Sequence, residues 1–369
     1  MKTIVKMVSI VLVLLLVVAC APKATPTPQV ITKVETRIVK ETQVVVVTPT
    51  RGPVQYEWKT GWGTFKLSAR IAEKVAKGKK LRFVVSTWDP VAPFFVPVKT
   101  GTEDAGRELG CDAVFIGPAN PTTEEQMALL ETELQKGADG FGIISMEPDI
   151  MARFYEKAIG EGVPCMTVNV EVGPTVKTLG YVGQLNYPAG VSAAQLLMKA
   201  YLPKFGEKGK IAIGAAFPSA EYFRSGRGKG FQDEMKKYPG IQIVGPFELG
   251  VDMDKAYAVV ENFMMANPDI TAVYIADEFI QPVGDYIERN KLTGKVLAVG
   301  HNLEPGILGH IKKGNILVTI GQSPYRQGYD PVKYMYEFIT TGKVPSCVPV
   351  CDLGAEIVDA SNLSKYLTE

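Results

Sequence analysis

Histidine is nearly missing: the 369 residues hold only His301 and His310, and neither stands beside a nucleophile in sequence. The five cysteines form no CxxC pair and no Cys/His set with zinc-like spacing, so no metal site is expected. There is no GxSxG nucleophile elbow. The glycine-rich stretch Gly226-Arg227-Gly228-Lys229-Gly230 lacks the GxGxxG register, and GEKGK over Gly206–Lys210 has the wrong spacing for a phosphate loop. No nucleotide cofactor is expected. Asp277 and Glu278 are acidic neighbours, but adjacent side chains normally point apart, which argues against paired-carboxylate hydrolysis. No long Lys/Arg run occurs, and the formal net charge is +1, so no general field for nucleic acid or acidic lipid exists. The expectation is a non-enzyme with no cofactor and no nucleic-acid partner.

What is there begins with an address. Lys2 and Lys6 precede an almost purely apolar run, Met7–Val18, which has the form of a secretory signal. The run is short against the ~20 residues of a membrane-spanning helix. It ends in Val17-Val18-Ala19-Cys20, which resembles a bacterial lipobox and implies a lipid on Cys20 of an extracytoplasmic protein. Residues 1–20 are therefore read as a lipoprotein signal and 21–78 as a tether and lead-in, rich at first in Thr, Pro and Val. Outside the cytoplasm a disulfide persists, and Cys347 and Cys351 are close enough in sequence for a small bridged loop. Cys111 and Cys165 read as buried free thiols.

From Lys79 onward short apolar runs alternate with helical patterns. Strands are predicted at Leu81–Ser86, Ala113–Ile116, Gly142–Ser145, Cys165–Val170, Ile211–Ala215, Ile241–Val244, Ala272–Ile275, Val296–Val299 and Leu317–Ile320. Helices are predicted at Glu124–Lys136, Ile150–Glu161, Pro188–Tyr201, Lys255–Asn267 and Pro305–Lys313. Continuously apolar strands are buried on both faces, and strand–helix–strand repeats make parallel sheets. Nine strands are many for one open sheet, so the predicted fold is α/β with two doubly wound parallel-sheet lobes. Seams are placed at Gly180–Asn186, near Ile320–Ser323 and near Cys347–Leu353, giving a three-strand hinge. The lobes are assigned as 79–183 plus 323–346 and 184–322 plus 347–369.

Ligands of such sheets sit beyond the carboxyl ends of the strands. The residues there are Trp88 and Asp89, Met146 and Glu147, Asn169 to Glu171, Phe217, Asp277 and Glu278, His301 and Asn302, and Gln322, with Phe94, Phe95 and Arg227 nearby. Acids, amides and an Arg exchange fixed hydrogen bonds with hydroxyls, while aromatic faces stack on a sugar ring. This chemistry suits a small neutral sugar or polyol. The competing role is helix capping by Asp277, Asn302 and Ser323.

The segment from about Lys80 to Gly342 resembles the type I periplasmic binding proteins for sugars, the ribose-binding group and its relatives. The resemblance rests on Val84–Gly101, GADGFGIISMEPD (Gly137–Asp149), Gly162–Glu171, GRGKGF (Gly226–Phe231), NPDITAVYIADEF (Asn267–Phe279), VLAVGHN (Val296–Asn302) and VTIGQSPYRQG (Val318–Gly328). It implies that Phe94 and Phe95 sandwich a sugar, that Arg227 donates to its hydroxyls, and that Asp277, Asn302 and Gln322 complete the site. It also implies delivery to an ABC permease by a monomer. Three departures stand out: Ala92 replaces the family's Asn, Asn169-Val170 replaces its Asp-Arg pair, and Asn302 replaces its Asp. Ribose itself is thus disfavoured, with Asp89, Glu147 and Glu171 as compensating groups. A ligand-presenting sensory receptor and a carbohydrate-active enzyme are the alternatives on the same scaffold. A DNA-binding regulator is excluded because a signal and tether occupy the place of its helix-turn-helix.

Overall fold

The computed structural model describes residue 54 and residues 56–367. The expectations for Cys20, the signal and most of the tether lie outside the described residues. A hairpin of β1 (Glu57–Thr60) and β2 (Gly63–Lys66) leads into α1 (Ala69–Ala76). Then come β3 (Arg82–Ser86), α2 (Phe95–Leu109), β4 (Asp112–Ile116), α3 (Thr123–Gln135), β5 (Gly140–Ile143), α4 (Pro148–Gly160), β6 (Cys165–Val168) and β7 (Tyr181–Gly183). A second alternation runs through α5 (Asn186–Phe205), β8 (Gly209–Ala215), α6 (Arg227–Met235), β9 (Ile241–Glu248), α7 (Met253–Ala266) and β10 (Ile270–Ile275). It continues with α8 (Ile280–Arg289), β11 (Leu297–His301), α9 (Pro305–Lys313) and β12 (Val318–Gly321), followed by α10 (Pro324–Thr341), β13 (Val350–Asp352) and β14 (Glu356–Asp359).

The strands form two six-stranded sheets, ordered β13-β7-β6-β5-β3-β4 and β14-β12-β11-β10-β8-β9. Every pairing is parallel except β12 with β14. The chain passes between lobes after β7, after β12 and after β13, which gives the three-strand hinge. Each lobe has its own buried core, and the second sheet carries one on each face. No helix of the described residues is long and apolar enough to cross a membrane.

Two assigned boundaries are corrected. Residues 56–78 are not lead-in but part of the first lobe: Trp58, Phe65 and Ile71 are buried in its core, and the Trp58 ring meets Phe338 of α10 edge-on at 5.1 Å. Asp139, just before β5, holds this segment by accepting from Arg70 Nη1 at 2.8 Å and Lys74 Nζ at 2.7 Å. The second correction concerns residues 347–369. Val350–Asp352 pairs with Tyr181–Gly183 in the first sheet, and only β14 joins the second. Cys347 and Cys351 are bonded to each other, with their Cα atoms 4.8 Å apart, while Cys111 and Cys165 are free and buried. Burial pushes the Cys111 thiol up to about 11, so it is inert at neutral pH.

Helix α2 was not predicted, because Pro97, Gly101 and Gly106 interrupt its pattern. Those glycines are what let it form here. A Cβ at Gly101 would lie 2.0 Å from the Tyr325 carbonyl oxygen, and one at Gly328 would lie 1.9 Å from that of Val98. Backbone-to-backbone packing of α2 on α10 thus outweighs the poor helix propensity of glycine. Gly328→Ala should therefore destabilise the first lobe by about 2 kcal/mol. Scanning calorimetry would read this as a fall of roughly 4–8 °C in Tm, and an unchanged Tm would contradict the close packing.

Candidate functional site

The carboxyl ends of both sheets face a cleft between the lobes. One part has a volume of about 560 Å³ and an adjoining part about 810 Å³; they share Trp88, Met146, Asn186, Phe217 and Tyr222 and so form one continuous space. Trp88, Asp89, Phe94, Phe95, Asn169, Arg227, Asp277, Asn302 and Gln322 line the smaller part. Glu147 and Glu171 line the larger one.

Four of these residues form a single hydrogen-bonded hub. Arg227 Nη2 donates to Gln322 Oε1 at 2.6 Å, Asn169 Nδ2 donates to the same oxygen at 3.2 Å, and Gln322 Nε2 donates to Asn302 Oδ1. Arg227 Nη1 donates to the Ala276 carbonyl at 2.8 Å. Arg227 begins α6 in the second lobe, Gln322 lies in the second hinge crossing, and Asn169 follows β6 in the first lobe. The hub therefore ties both lobes at the cleft floor. Asn169 and Asn302 have positive φ, 65° and 76°. Asparagine tolerates this conformation better than most side chains, so the backbone is held where it aims both amides at the hub.

Asp277 is satisfied by the protein itself. It accepts from the Ala216 amide at 2.7 Å, the Tyr222 hydroxyl at 2.9 Å and the Phe279 amide at 3.2 Å. The capping role is thus partly met at Asp277, just ahead of α8. Ser323 does no capping and instead donates to Glu356 at 3.0 Å, and Asn302 Nδ2 turns to two carboxyls. Burial raises the Asp277 carboxyl pKa despite those donors. Burial and then the Arg227 charge lower that of His301, which stays neutral with its Nε2 at 2.9 Å from the Tyr274 hydroxyl.

Three expected residues also hold the fold together. Phe95 is buried in the first core, where it meets Phe94 and Trp88 edge-on at 5.2 and 6.3 Å; Phe94 and Trp88 are only half-buried. Glu147 is exposed and accepts from the Thr123 hydroxyl at 2.7 Å, bracing α3 against α4. Glu171 accepts from the Asn186 amide at 2.9 Å and so caps α5 across the first crossing.

Sequence reasoning passed over Asn186, Tyr222, Gln327, and Glu304. Gln327 is fully buried, accepts from Asn169 Nδ2 at 2.9 Å and donates to the Gln322 carbonyl at 2.7 Å. It lies one turn into α10, beyond the reach of a scan of strand ends. Glu304 follows Asn302 by two residues, a signal that was there to be found. Three atoms on cavity-lining residues are buried without a hydrogen-bond partner: Arg227 Nε, Asn186 Oδ1 and Glu304 Oε2. Such groups cost free energy unless something else meets them.

Residues 83–343 match the family model described as a periplasmic binding protein domain. The xylose/arabinose-binding protein XylF of Sulfolobus acidocaldarius is 25% identical over 290 residues, 74% of this chain and 70% of its own. The ribose import binding protein RbsB of Bacillus subtilis is 28% identical over 235 residues, 63% of this chain and 73% of its own. The crystal structure of GanP, a glucose-galactose binding protein from Geobacillus stearothermophilus, superposes with a TM-score of 0.69 at 25% identity, covering 77% of this chain and 99% of that one. With two parallel-sheet lobes, three crossings and a cleft at the strand ends, the chain belongs to the periplasmic binding protein domain family.

Proposed function

We propose that this is an extracytoplasmic solute-binding protein that captures a small sugar or polyol between its lobes for an ABC importer. The observation that carries the reading is the hub of Arg227, Gln322, Asn302 and Asn169, with the unpartnered Arg227 Nε and Asn186 Oδ1 on the same cavity. These groups bond hydroxyls, and the half-buried faces of Trp88 and Phe94 suit the C–H face of a ring. The named relatives bind xylose, arabinose, ribose, glucose or galactose, which supports the same class of ligand here. The lips of the cleft support closure. Val91 from the first lobe is 85% exposed and Val251 from the second 53%, both lining the same cavity. Bringing the lips together removes this apolar surface from water.

Ligand contacts from both lobes favour the closed form, a population shift between two states of one hinge. The closed face then meets a membrane permease, and a lipid on Cys20 keeps the monomer near it. A thermal-shift screen of pentoses, hexoses, polyols and nucleosides tests the reading. The right sugar at 100 times its Kd should add ~2.7 kcal/mol of stability, visible as a higher Tm. If no carbohydrate raises Tm, the reading fails.

A further inference from the structure

The second-lobe wall of the smaller cavity is short of donors. Asn302 Nδ2 lies 3.2 Å from Glu278 Oε2 and 3.3 Å from Glu304 Oε1, so one amide serves two carboxyls. Glu304 Oε2 is buried with no hydrogen-bond partner. Asn186 Oδ1, an acceptor on a residue only 2% exposed, lines the same cavity and also lacks a donor. Arg227 is the one basic side chain lining this cavity, and its two terminal nitrogens already hold Ala276 and Gln322. The remaining acids are accounted for: Asp277 has three donors, and Asp89, across the cleft, accepts from the Val91 amide. Apart from Arg227 Nε, which is also unpartnered, the wall therefore offers more acceptors than donors.

We propose that the ligand is an amine-bearing sugar or polyol whose ammonium group sits between Glu278 and Glu304. This rests on the sugar-binding reading and narrows it. An ammonium brings three donors and no acceptor, which matches two carboxyls that share one amide donor and leave Glu304 Oε2 unpartnered; a hydroxyl brings one donor and no charge. Burial, then Asp277, then Glu304 push the Glu278 carboxyl up to about 8, and burial and Asp277 push Glu304 up to about 7. The other groups facing the pair are Arg227 from α6 and Tyr222 just before it, whose hydroxyl burial keeps protonated. Both carboxyls therefore hold their protons to a higher pH than an ordinary carboxyl does. An ammonium needs an ionised carboxyl, so its binding gain is present above the Glu304 value of about 7 and lost as pH falls through it. A neutral sugar gains nothing from ionisation.

Calorimetry with D-glucosamine, D-galactosamine and 1-amino-1-deoxy-D-glucitol against D-glucose, D-galactose and D-glucitol, at pH 7.5 and pH 6, decides the matter. At least one amine should bind about tenfold or more tighter than its parent at pH 7.5. That amine should weaken by about tenfold at pH 6. Glu304→Gln, of equal volume, should remove both the preference and the pH trend, with circular dichroism confirming the fold. Parents that bind as well as their amines would overturn the inference and leave the sugar-binding reading intact. Amines whose affinity does not fall at pH 6 would also overturn it. If no member of either set binds while another neutral sugar raises Tm in the thermal screen, the inference fails and the sugar-binding reading stands.

Discussion

Replacing Arg227 with alanine is expected to weaken ligand binding by about 2 kcal/mol or more, roughly thirtyfold in Kd. Arg227 is 4% exposed, and its guanidinium spans the cleft floor, from the Ala276 carbonyl on one side to Gln322 on the other. Truncation removes a charged donor from buried hydroxyls. It also leaves Gln322 free to swing away from Asn302, so the hub loses its shape as well as its charge. Arg227→Lys should recover little, because a point charge cannot bridge two acceptors as a planar fork does. Calorimetry with the sugar found by the thermal screen gives the answer, and an unchanged Kd for Arg227→Ala would remove this residue from the site.

The second large effect is on stability. Asp139→Ala should cost the first lobe about 3 kcal/mol, since hydrogen bonds to a buried charge are worth more than neutral ones. The Asp139 side chain is fully buried and meets three partners from two elements: Arg70 and Lys74 of α1, and the Arg82 amide at the start of β3 at 2.9 Å. Arg82 in turn pairs with Asp112 and Glu133, extending the network to β4 and α3. Arg70 and Lys74 are partly exposed and regain water when the carboxylate goes, which keeps the loss below that of a fully buried pair. The expected fall in Tm is roughly 6–12 °C. A shift of a degree or less would mean that α1 is not held by this network.

The same carboxylate shows where sequence reading stops. Strands β3–β6 and β8–β12 were legible because each is a short, mostly apolar run, and most are buried on both faces, a signal that lives within a few residues. The three crossings were legible from the order of those runs. The hairpin and α1 were not: Trp58 and Phe65 stand alone among polar residues and find their partner, Phe338, only across the folded lobe. Likewise β13 is three residues long, and its place in the first sheet depends on pairing with β7 far away in sequence. The candidate site divides along the same line. Residues at strand ends were found, since topology alone puts them at the cleft. Gln327, which joins the hub, and Asn186, which lines the cleft, sit on helices that begin just past a crossing and were missed because which helical residue reaches the site depends on how the helix leaves the hinge. Glu147 was named for its strand-end position yet serves Thr123, which sequence position cannot reveal.

Small-angle X-ray scattering of the protein lacking residues 1–20, with and without a saturating sugar, bears most directly on the claim that two hinged lobes close over a guest. The account predicts a smaller radius of gyration with ligand, because rotation about the three crossings brings Val91 and Val251 together. An identical scattering curve with a sugar that demonstrably raises Tm would contradict it.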